Sequence, residues 1–212
     1  MIETGNKKET EKKENEGDYK ISTRFFFIAL AVIALSIFLV AIITSESKKF
    51  EYIGLTFEKQ SFGEIPIFSA HITGNSVNGN TINFRINLRN DPRVNSIPIE
   101  SNIIILPETP VYVSLNMSSN IHQCGPIALL SFGQFMQGMR YETITGITTK
   151  EKADEFDKIH VTCDNNTGST VLIITEGNET RISVNNKNSD CYEITVNNCE
   201  LVEAIERAEM SI

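Results

Sequence analysis

The longest apolar run of the chain begins at Phe25 and ends at Ile43, and its only polar side chain is Ser36. These nineteen residues would span about 29 Å as a helix, which matches the hydrocarbon core of a bilayer. A helix that is apolar on all sides and has charged flanks is typical of a membrane span, not of a buried core helix. The pattern predicts one transmembrane helix over residues 25–44, with Phe25 to Ile43 in contact with membrane lipid.

Beyond this run, alternation of apolar and polar residues predicts β-strands. The clearest case is Thr81 to Arg89, which follows Pro66 to Thr73 and a Gly- and Asn-rich turn at residues 74–80. The two runs predict a β-hairpin with one buried face. The same criteria predict a connection at Glu176-Gly177-Asn178 that joins two strands as a hairpin. The other predicted strands are 51–59, 102–106, 110–115, 159–163, 170–175, 180–184 and 191–196.

Helical spacing of apolar residues returns twice. Leu129, Phe132, Phe135, Met136 and Met139 predict a helix that begins near Pro126 and ends near Arg140, with the Met side chains in the core. A short charged helix is expected at residues 149–157, and a closing helix from about Glu200 turns Leu201, Ile205 and Ala208 inward. On that closing helix, the charged face in water is expected to hold Glu200, Glu203, Glu206 and Glu209.

These elements predict an α+β fold with an antiparallel-sheet-dominated domain, one mid-domain helix and one C-terminal helix. A hydrophobic content of 41% excludes disorder over most of the chain. Residues 1–24 are polar and aperiodic, with six basic and six acidic side chains, and predict a disordered tail. We therefore divide the chain into this tail, the transmembrane helix at 25–44, a spacer at 45–49 and the domain at 50–212.

The basic residues predict the orientation of the membrane span. Those that precede it outnumber those that follow it closely, which are Lys48, Lys49 and Lys59. Because positive flanks stay inside, we expect a single-pass protein of the cell membrane with a cytoplasmic N-terminus and an extracytoplasmic domain. A cleaved signal peptide remains an alternative, with cleavage near Ser45 or Ser47. Its apolar region is normally shorter than this run, and Ala41-Ile42-Ile43 is a poor cleavage site.

The net charge of −8 lies entirely on the part of the chain after the apolar run. Nucleic-acid binding relies on clustered Lys and Arg that neutralise phosphates. The acidic part has no such cluster beyond Lys48 and Lys49, which adjoin the membrane. Nucleic acid is therefore excluded as a partner.

The cysteines of the predicted extracytoplasmic domain are even in number, which favours disulfides in an oxidising compartment. They are Cys124, Cys163, Cys191 and Cys199. An extended Cys191 to Val196 strand would separate Cys191 from Cys199 beyond the Cα distance of under roughly 7 Å that a disulfide needs. Cys163 should then pair with Cys191 or Cys199, and Cys124 with the other.

Reactive roles for the same residues are weaker alternatives. Cys124 and Cys199 each lie near a predicted helix N-terminus, which stabilises thiolate, but the chain has no Cys-x-x-Cys. Zinc binding would use His160 with Cys163, which alternation places on opposite faces of a strand. A nucleophilic Cys124 could use His122 or His160 as its base, although residues two apart do not face each other in regular structure. We therefore predict no catalytic, metal or cofactor-binding residue.

Two further sequence patterns predict features of the protein surface. The N-glycosylation pattern occurs at Asn116, Asn165 and Asn178, and the last two lie in predicted turns. Asp91-Pro92-Arg93 is interpreted as a turn, with a recognition loop as the alternative.

A wider pattern joins several of these segments. It comprises Tyr52, Gly54-Leu55, Phe57, Phe62-Gly63 and Ile65-Pro66, then Leu88 to Arg93, and the closing Cys191-Tyr192 to Asn198-Cys199-Glu200. In these residues the chain resembles uncharacterised single-span membrane-anchored proteins of small-genome archaea, over nearly all of residues 25–209. The resemblance implies the single-span topology and an archaeal envelope setting, and it implies nothing about catalytic activity.

The function that follows is a membrane-anchored, surface-displayed binding or assembly module without catalytic activity. Its expected partner is a protein or a cell-envelope component. The alternative is an anchored extracytoplasmic enzyme, a hydrolase or thiol oxidoreductase, that uses Cys124 with His122 or His160.

Overall fold

The computed structural model describes residues 23–46, 48–75, 79, 81–117 and 121–212, without the side chains of 23, 24, 41–46, 122 and 124. The chain divides into two compact units, Met1–Glu46 and Ser47–Ile212. The tail expected at residues 1–24 lies outside the described residues, apart from the backbone of its last two.

The first unit contains helix α1, Thr23–Glu46. Its described side chains, Phe25 to Val40, are all exposed. The hydroxyl of Ser36 donates to the carbonyl of Ile33 at 2.8 Å, so the one polar side chain of the apolar run is bonded within its own helix. Within the part of the chain that the structure describes, no helix is long and apolar enough to cross a membrane.

The second unit opens with an antiparallel sheet in the order β1-β2-β3-β4. The predicted β3–β4 hairpin is confirmed. The expected strand at 51–59 is instead two strands, because Ile53 and Gly54 have positive φ values of 44° and 77° and turn the chain. The strands are β1 Lys49–Tyr52, β2 Leu55–Phe62, β3 Ile65–Asn75 and β4 Thr81–Leu88.

A second, six-stranded sheet has the order β7-β6-β5-β8-β10-β9. Its pairings are parallel except that of β10 with β9. The α+β class is confirmed, but antiparallel pairing dominates only the first sheet. The strands are β5 Val111–Leu115, β6 Thr143–Ile147, β7 Ile159–His160, β8 Val171–Glu176, β9 Arg181–Val184 and β10 Cys191–Val196.

Three local predictions are wrong in this sheet. The turn at 176–178 does not close a hairpin, because β10 lies between β8 and β9 and pairs with both. The strand expected at 159–163 ends at His160. The segment 102–106 is not a strand, because its N–H groups bond elsewhere: that of Ile104 donates to the hydroxyl of Tyr192 and that of Leu106 to the hydroxyl of Thr170.

Two helices separate the sheets within this unit. The core combines Phe132 and Met136 of α3 and Ile205 of α5 with Phe57 of the first sheet and Leu172 of the second. The predicted mid-domain and C-terminal helices are thus confirmed. The structure shows in addition that they form the middle layer of the domain. The helices of the unit are α2 Ile121–Cys124, α3 Pro126–Gly138, α4 Lys150–Glu155 and α5 Leu201–Glu209.

The position of α5 corrects the prediction of a glutamate face in water. Glu200 is exposed and Glu203 is half-buried, but Glu206 and Glu209 are only 7% and 3% exposed. Helix α5 packs against β10 and β9 on one side, while Glu206 reaches the end of β4 on the other. A helix covered by both sheets cannot keep four successive glutamates of this spacing in solvent.

Candidate functional site

Cys163 and Cys191 form a disulfide, with an S–S distance of 2.03 Å and a Cα separation of 5.5 Å. The bridge packs on the second sheet with Val161 and Val171 in a small apolar cluster. One of the two pairings that the sequence left open for Cys163 is therefore confirmed. It also removes the zinc alternative, because Cys163 has no thiolate to bind a metal.

Cys199 is also disulfide-bonded. The partner of Cys199 lies outside the described side chains. The side chains of His122 and Cys124 also lie outside them, so the hypothesis of a nucleophilic Cys124 stays a prediction. Among the described residues there is no free cysteine and no group of three or more His, Cys, Asp or Glu side chains that could hold a metal ion.

His160 has a structural role in a loop. Its Nε2 lies 3.0 Å from the carbonyl oxygen of Thr148, so this nitrogen carries the proton and donates. Its Nδ1 lies 3.3 Å from the side-chain nitrogen of Asn165, which also donates to the His160 carbonyl at 2.9 Å. Both ring nitrogens are thus engaged in holding the 160–165 loop.

The glycosylation candidates differ in their surroundings. The side-chain nitrogen of Asn165 is engaged with His160, and that of Asn116 donates to the hydroxyl of Thr175 at 3.1 Å. Asn178 is exposed in the connection between β8 and β9. Of the three amides, that of Asn178 is the most accessible to a modifying enzyme in the folded domain.

Asp91-Pro92-Arg93 is a self-contained turn. The Asp91 carboxylate accepts the Arg93 backbone N–H at 3.1 Å and its guanidinium Nη2 at 2.6 Å, which lowers the pKa of Asp91. The Arg93 guanidinium stacks over the ring of Phe50 at 3.8 Å. The charges of this segment therefore satisfy one another, which fits the turn interpretation.

A groove that sequence reasoning missed lies between β4 and α3. Strand β4 is the last of its sheet, and its free edge and the C-terminal half of α3 enclose a cavity of about 390 Å³. A smaller cavity of about 60 Å³ shares Asn87 and Ser131 with it and extends the groove past Arg89 to Ile127. The residues that line the larger cavity include Asn83, Arg85, Asn87, Ser131, Gln134, Arg140 and Glu209.

The wall of the groove is held by aromatic packing. The rings of Phe84 on β4 and Phe135 on α3 meet edge to face, with centroids 5.8 Å apart. At Gly138 a Cβ atom would lie 2.6 Å from the Phe84 ring, so glycine lets the helix end approach the strand this closely. The spacing between strand and helix is therefore fixed by well-packed side chains.

Three arginines surround this groove without a charge partner. Arg85, Arg89 and Arg140 are exposed, and none makes an ion pair among the described residues. Arg140 follows the C-cap of α3 with a φ of 65°, the left-handed conformation common at helix ends, and the N–H of Tyr141 closes the cap on the Met136 carbonyl at 3.0 Å. On a chain of net charge −8, this is a local positive surface.

Two buried carboxyl groups lie beneath the same edge. Glu206 accepts the backbone N–H groups of Arg89 and Asn90, yet burial raises its pKa above the ordinary value. Burial and the nearby Glu206 raise the pKa of Glu209 to about 8. Glu209 lines the groove, and its Oε1 has no hydrogen-bond partner among the described residues. Near neutral pH it is therefore a neutral group with unused hydrogen-bonding capacity.

The fold is an α+β domain in which two helices lie between two sheets, and the groove between β4 and α3 is a cleft with exposed arginines. Comparison of the chain with models of protein families, with curated proteins and with solved structures finds no match. The resemblance to membrane-anchored archaeal proteins stays a prediction.

Proposed function

We propose that the protein is a membrane-anchored binding module, displayed outside the cytoplasm, which recognises a partner through the groove between β4 and α3. The observation that carries the proposal is the grouping of Arg85, Arg89 and Arg140 around an open sheet edge, beside the buried Glu209. Among the described residues, none of the three arginines makes an ion pair and the Oε1 of Glu209 has no hydrogen-bond partner. Unused charge and hydrogen-bonding capacity at a rigid cleft are characteristic of a recognition site.

The apolar run supports the membrane anchor. Fourteen of the nineteen residues from Phe25 to Ile43 are Phe, Ile, Leu or Val, and each favours insertion by roughly 0.3 to 0.6 kcal/mol. In α1 the side chains from Phe25 to Val40 are exposed all round. An apolar helix of this kind is stable in lipid and would aggregate in water.

The disulfides support an extracytoplasmic domain. The Cys163–Cys191 bridge and the bonded state of Cys199 fit an oxidising compartment, because the cytosol keeps thiols reduced. The excess of basic residues before the span gives the same orientation. We propose that Cys124 is the partner of Cys199.

Binding is favoured over catalysis by the chemistry of the groove. Arginine, asparagine and glutamine side chains bind and orient anionic or peptide groups, and the described residues that line the groove include no cysteine and no histidine. The competing enzyme hypothesis depends on a Cys124 thiol, which the proposed Cys124–Cys199 bridge would consume.

A site-specific photo-crosslinker tests the proposal in intact cells. We expect a crosslinker in place of Gln134, which lines the groove, to yield a discrete protein adduct. The matched control replaces Glu155, an exposed residue of α4 away from the groove. Adducts of equal yield at both positions, or at neither, would contradict a partner site in this groove.

A further inference from the structure

The edge of β4 differs from the other sheet edges of the domain. Strand β4 has eight residues, whereas β1 and β9 have four and β7 has two. The outer side of β9 is covered, because Ile182 donates its N–H to Pro98 and accepts from Glu100. Proteins normally shorten or cover such edges, since unpaired peptide groups template the addition of another strand. The long, uncovered edge of β4 is therefore available to pair with a further strand.

The free peptide groups of this edge have a definite direction. The N–H of Arg89 points away from β3, to the carboxylate of Glu206. Because N–H groups alternate in direction along a strand, those of Asn87, Arg85 and Asn83 point to the same open side. In the described chain, no backbone group of β4 bonds to any element except β3. The edge from residue 81 to 87 is roughly 20 Å long, enough for a strand of about six residues.

We propose that the free edge of β4 binds an extended, acidic segment of a partner protein as an added β-strand. The proposal rests on the binding function proposed above and names the partner's chemistry and mode of binding. Strand addition uses main-chain hydrogen bonds for affinity and neighbouring side chains for specificity. Here Ser131 and Gln134 of α3 line the groove beside this edge, so their side chains would contact a strand added next to β4.

The arginines of the groove indicate that the bound segment is acidic. Arg85 and Arg140 line the larger cavity and Arg89 the smaller one, so carboxylates at alternate positions of a bound strand would meet guanidinium groups along the groove. A second copy of this chain fits poorly. Two β4 edges paired about a twofold axis would bring two sets of these arginines together, between molecules that each have a net charge of −8.

Peptide binding to the full-length protein in detergent micelles tests the proposal. The probe is a fluorescent eight-residue peptide that alternates glutamate and valine, and fluorescence anisotropy measures its dissociation constant. We expect binding that weakens about tenfold or more when lysine replaces glutamate, which corresponds to about 1.4 kcal/mol. Failure of the acidic peptide to bind at millimolar concentration would overturn the proposal.

N-methylated peptides separate strand addition from attraction between charges. An added strand uses only every second N–H, so one set of alternate N-methyl groups should abolish binding and the other set should leave it nearly unchanged. On binding, hydrogen exchange should slow at the amides of Asn83, Arg85 and Asn87. Equal affinity of both N-methylated peptides and the parent would overturn strand addition.

Protein variants test the charge contribution. Because Arg85 and Arg140 are exposed, the variants Arg85→Glu and Arg140→Glu should fold. Each should raise the dissociation constant of the acidic peptide about fivefold. Arg181→Glu, on β9 at the far end of the other sheet, is the matched control and should have no effect. An equal loss in the control would contradict recognition at this groove.

The two proposals fail differently. A crosslinked partner at position 134 together with insensitivity to N-methylation overturns strand addition and leaves the binding function standing. Absence of any adduct at position 134, with no peptide bound, overturns the binding function itself.

Discussion

Glu206 on α5 accepts the side-chain N–H of Asn90 at 2.9 Å and its backbone N–H at 3.1 Å, across 116 residues of sequence. It also accepts the backbone N–H of Arg89. A single buried carboxylate thus satisfies the donors at the end of β4 and fastens the first sheet to the helix layer. The open edge begins where these contacts stop, so Glu206 sets one end of the strand edge that is proposed to bind the partner.

We predict that Glu206→Ala destabilises the domain more than any exposed glutamate substitution. The change leaves three donors without an acceptor, and each unsatisfied buried donor costs about 1 to 3 kcal/mol. Urea unfolding should therefore show a loss of several kcal/mol, with roughly half of it recovered in Glu206→Gln, which keeps one acceptor oxygen. Glu142→Ala, at an exposed glutamate, is the control. A loss no larger than that of the control would contradict this role.

The stability of the domain should decrease with pH because of Glu209. Its pKa is about 8 in the folded state against an ordinary 4.5, so between these values the folded state holds a proton that the unfolded state has released. Stability is then full below about pH 4.5 and falls by up to about 1.4 kcal/mol per pH unit as pH rises towards 8. Raised pKa values of both Glu206 and Glu209 act in this direction.

The Glu209→Gln variant isolates this effect. It should match the wild type near pH 4.5, have a shallower slope, and exceed the wild type in stability at pH 8. Urea midpoints measured from pH 4.5 to 8.5 provide the comparison, with Glu142→Gln, at an exposed glutamate away from α5, as a variant that keeps the wild-type slope. An unchanged slope in Glu209→Gln would rule out Glu209 as the titrating group.

Two glycines of α3 should respond to alanine in opposite ways. At Gly138 the new Cβ would lie 2.6 Å from the Phe84 ring and force helix and strand apart, at a cost of about 1 to 3 kcal/mol. At Gly133 nothing lies within 4 Å, so alanine should stabilise the helix by up to about 1 kcal/mol. Thermal or urea unfolding of both variants checks the prediction. Equal effects would show that α3 is not tightly packed on β4.

The disulfides give a prediction for stability and one for connectivity. The Cys163–Cys191 bridge spans 28 residues, and its loss in Cys163→Ser/Cys191→Ser should cost about 3 to 4 kcal/mol in the chain-entropy description.

Peptide mapping of the non-reduced protein should recover this pair and a Cys124–Cys199 pair. An alkylated Cys124 in the native protein would instead revive the nucleophile hypothesis.

The local pattern predicted those elements whose periodicity is clear. The alternation in Thr81–Leu88 gave a strand with one buried face, and helical spacing from Leu129 to Met139 gave α3. The largely parallel pairing of the second sheet was not predicted. Val171, Leu172 and Ile174 of β8 are fully buried, and apolar runs of this kind are typical of strands that are covered on both faces. Such a run contains no information on which strands pair with each other.

The candidate groove could not be predicted, because it depends on which strand ends its sheet. The residues of β4 read identically whether the strand is central or at an edge, and Arg140 is 51 positions from Arg89 in sequence. The burial of Glu206 and Glu209 had the same cause. Their spacing on α5 gave no sign that a second sheet covers the outward side of the helix.

The measurement that tests the anchored topology most directly is labelling of intact cells with a membrane-impermeant amine reagent, followed by peptide mass spectrometry. The account predicts labelled lysines in the domain, such as Lys150 and Lys158, which are exposed. It also predicts no label on the five lysines between Lys7 and Lys20 until the membrane is permeabilised. Labelled tail lysines together with unlabelled domain lysines in intact cells would contradict it.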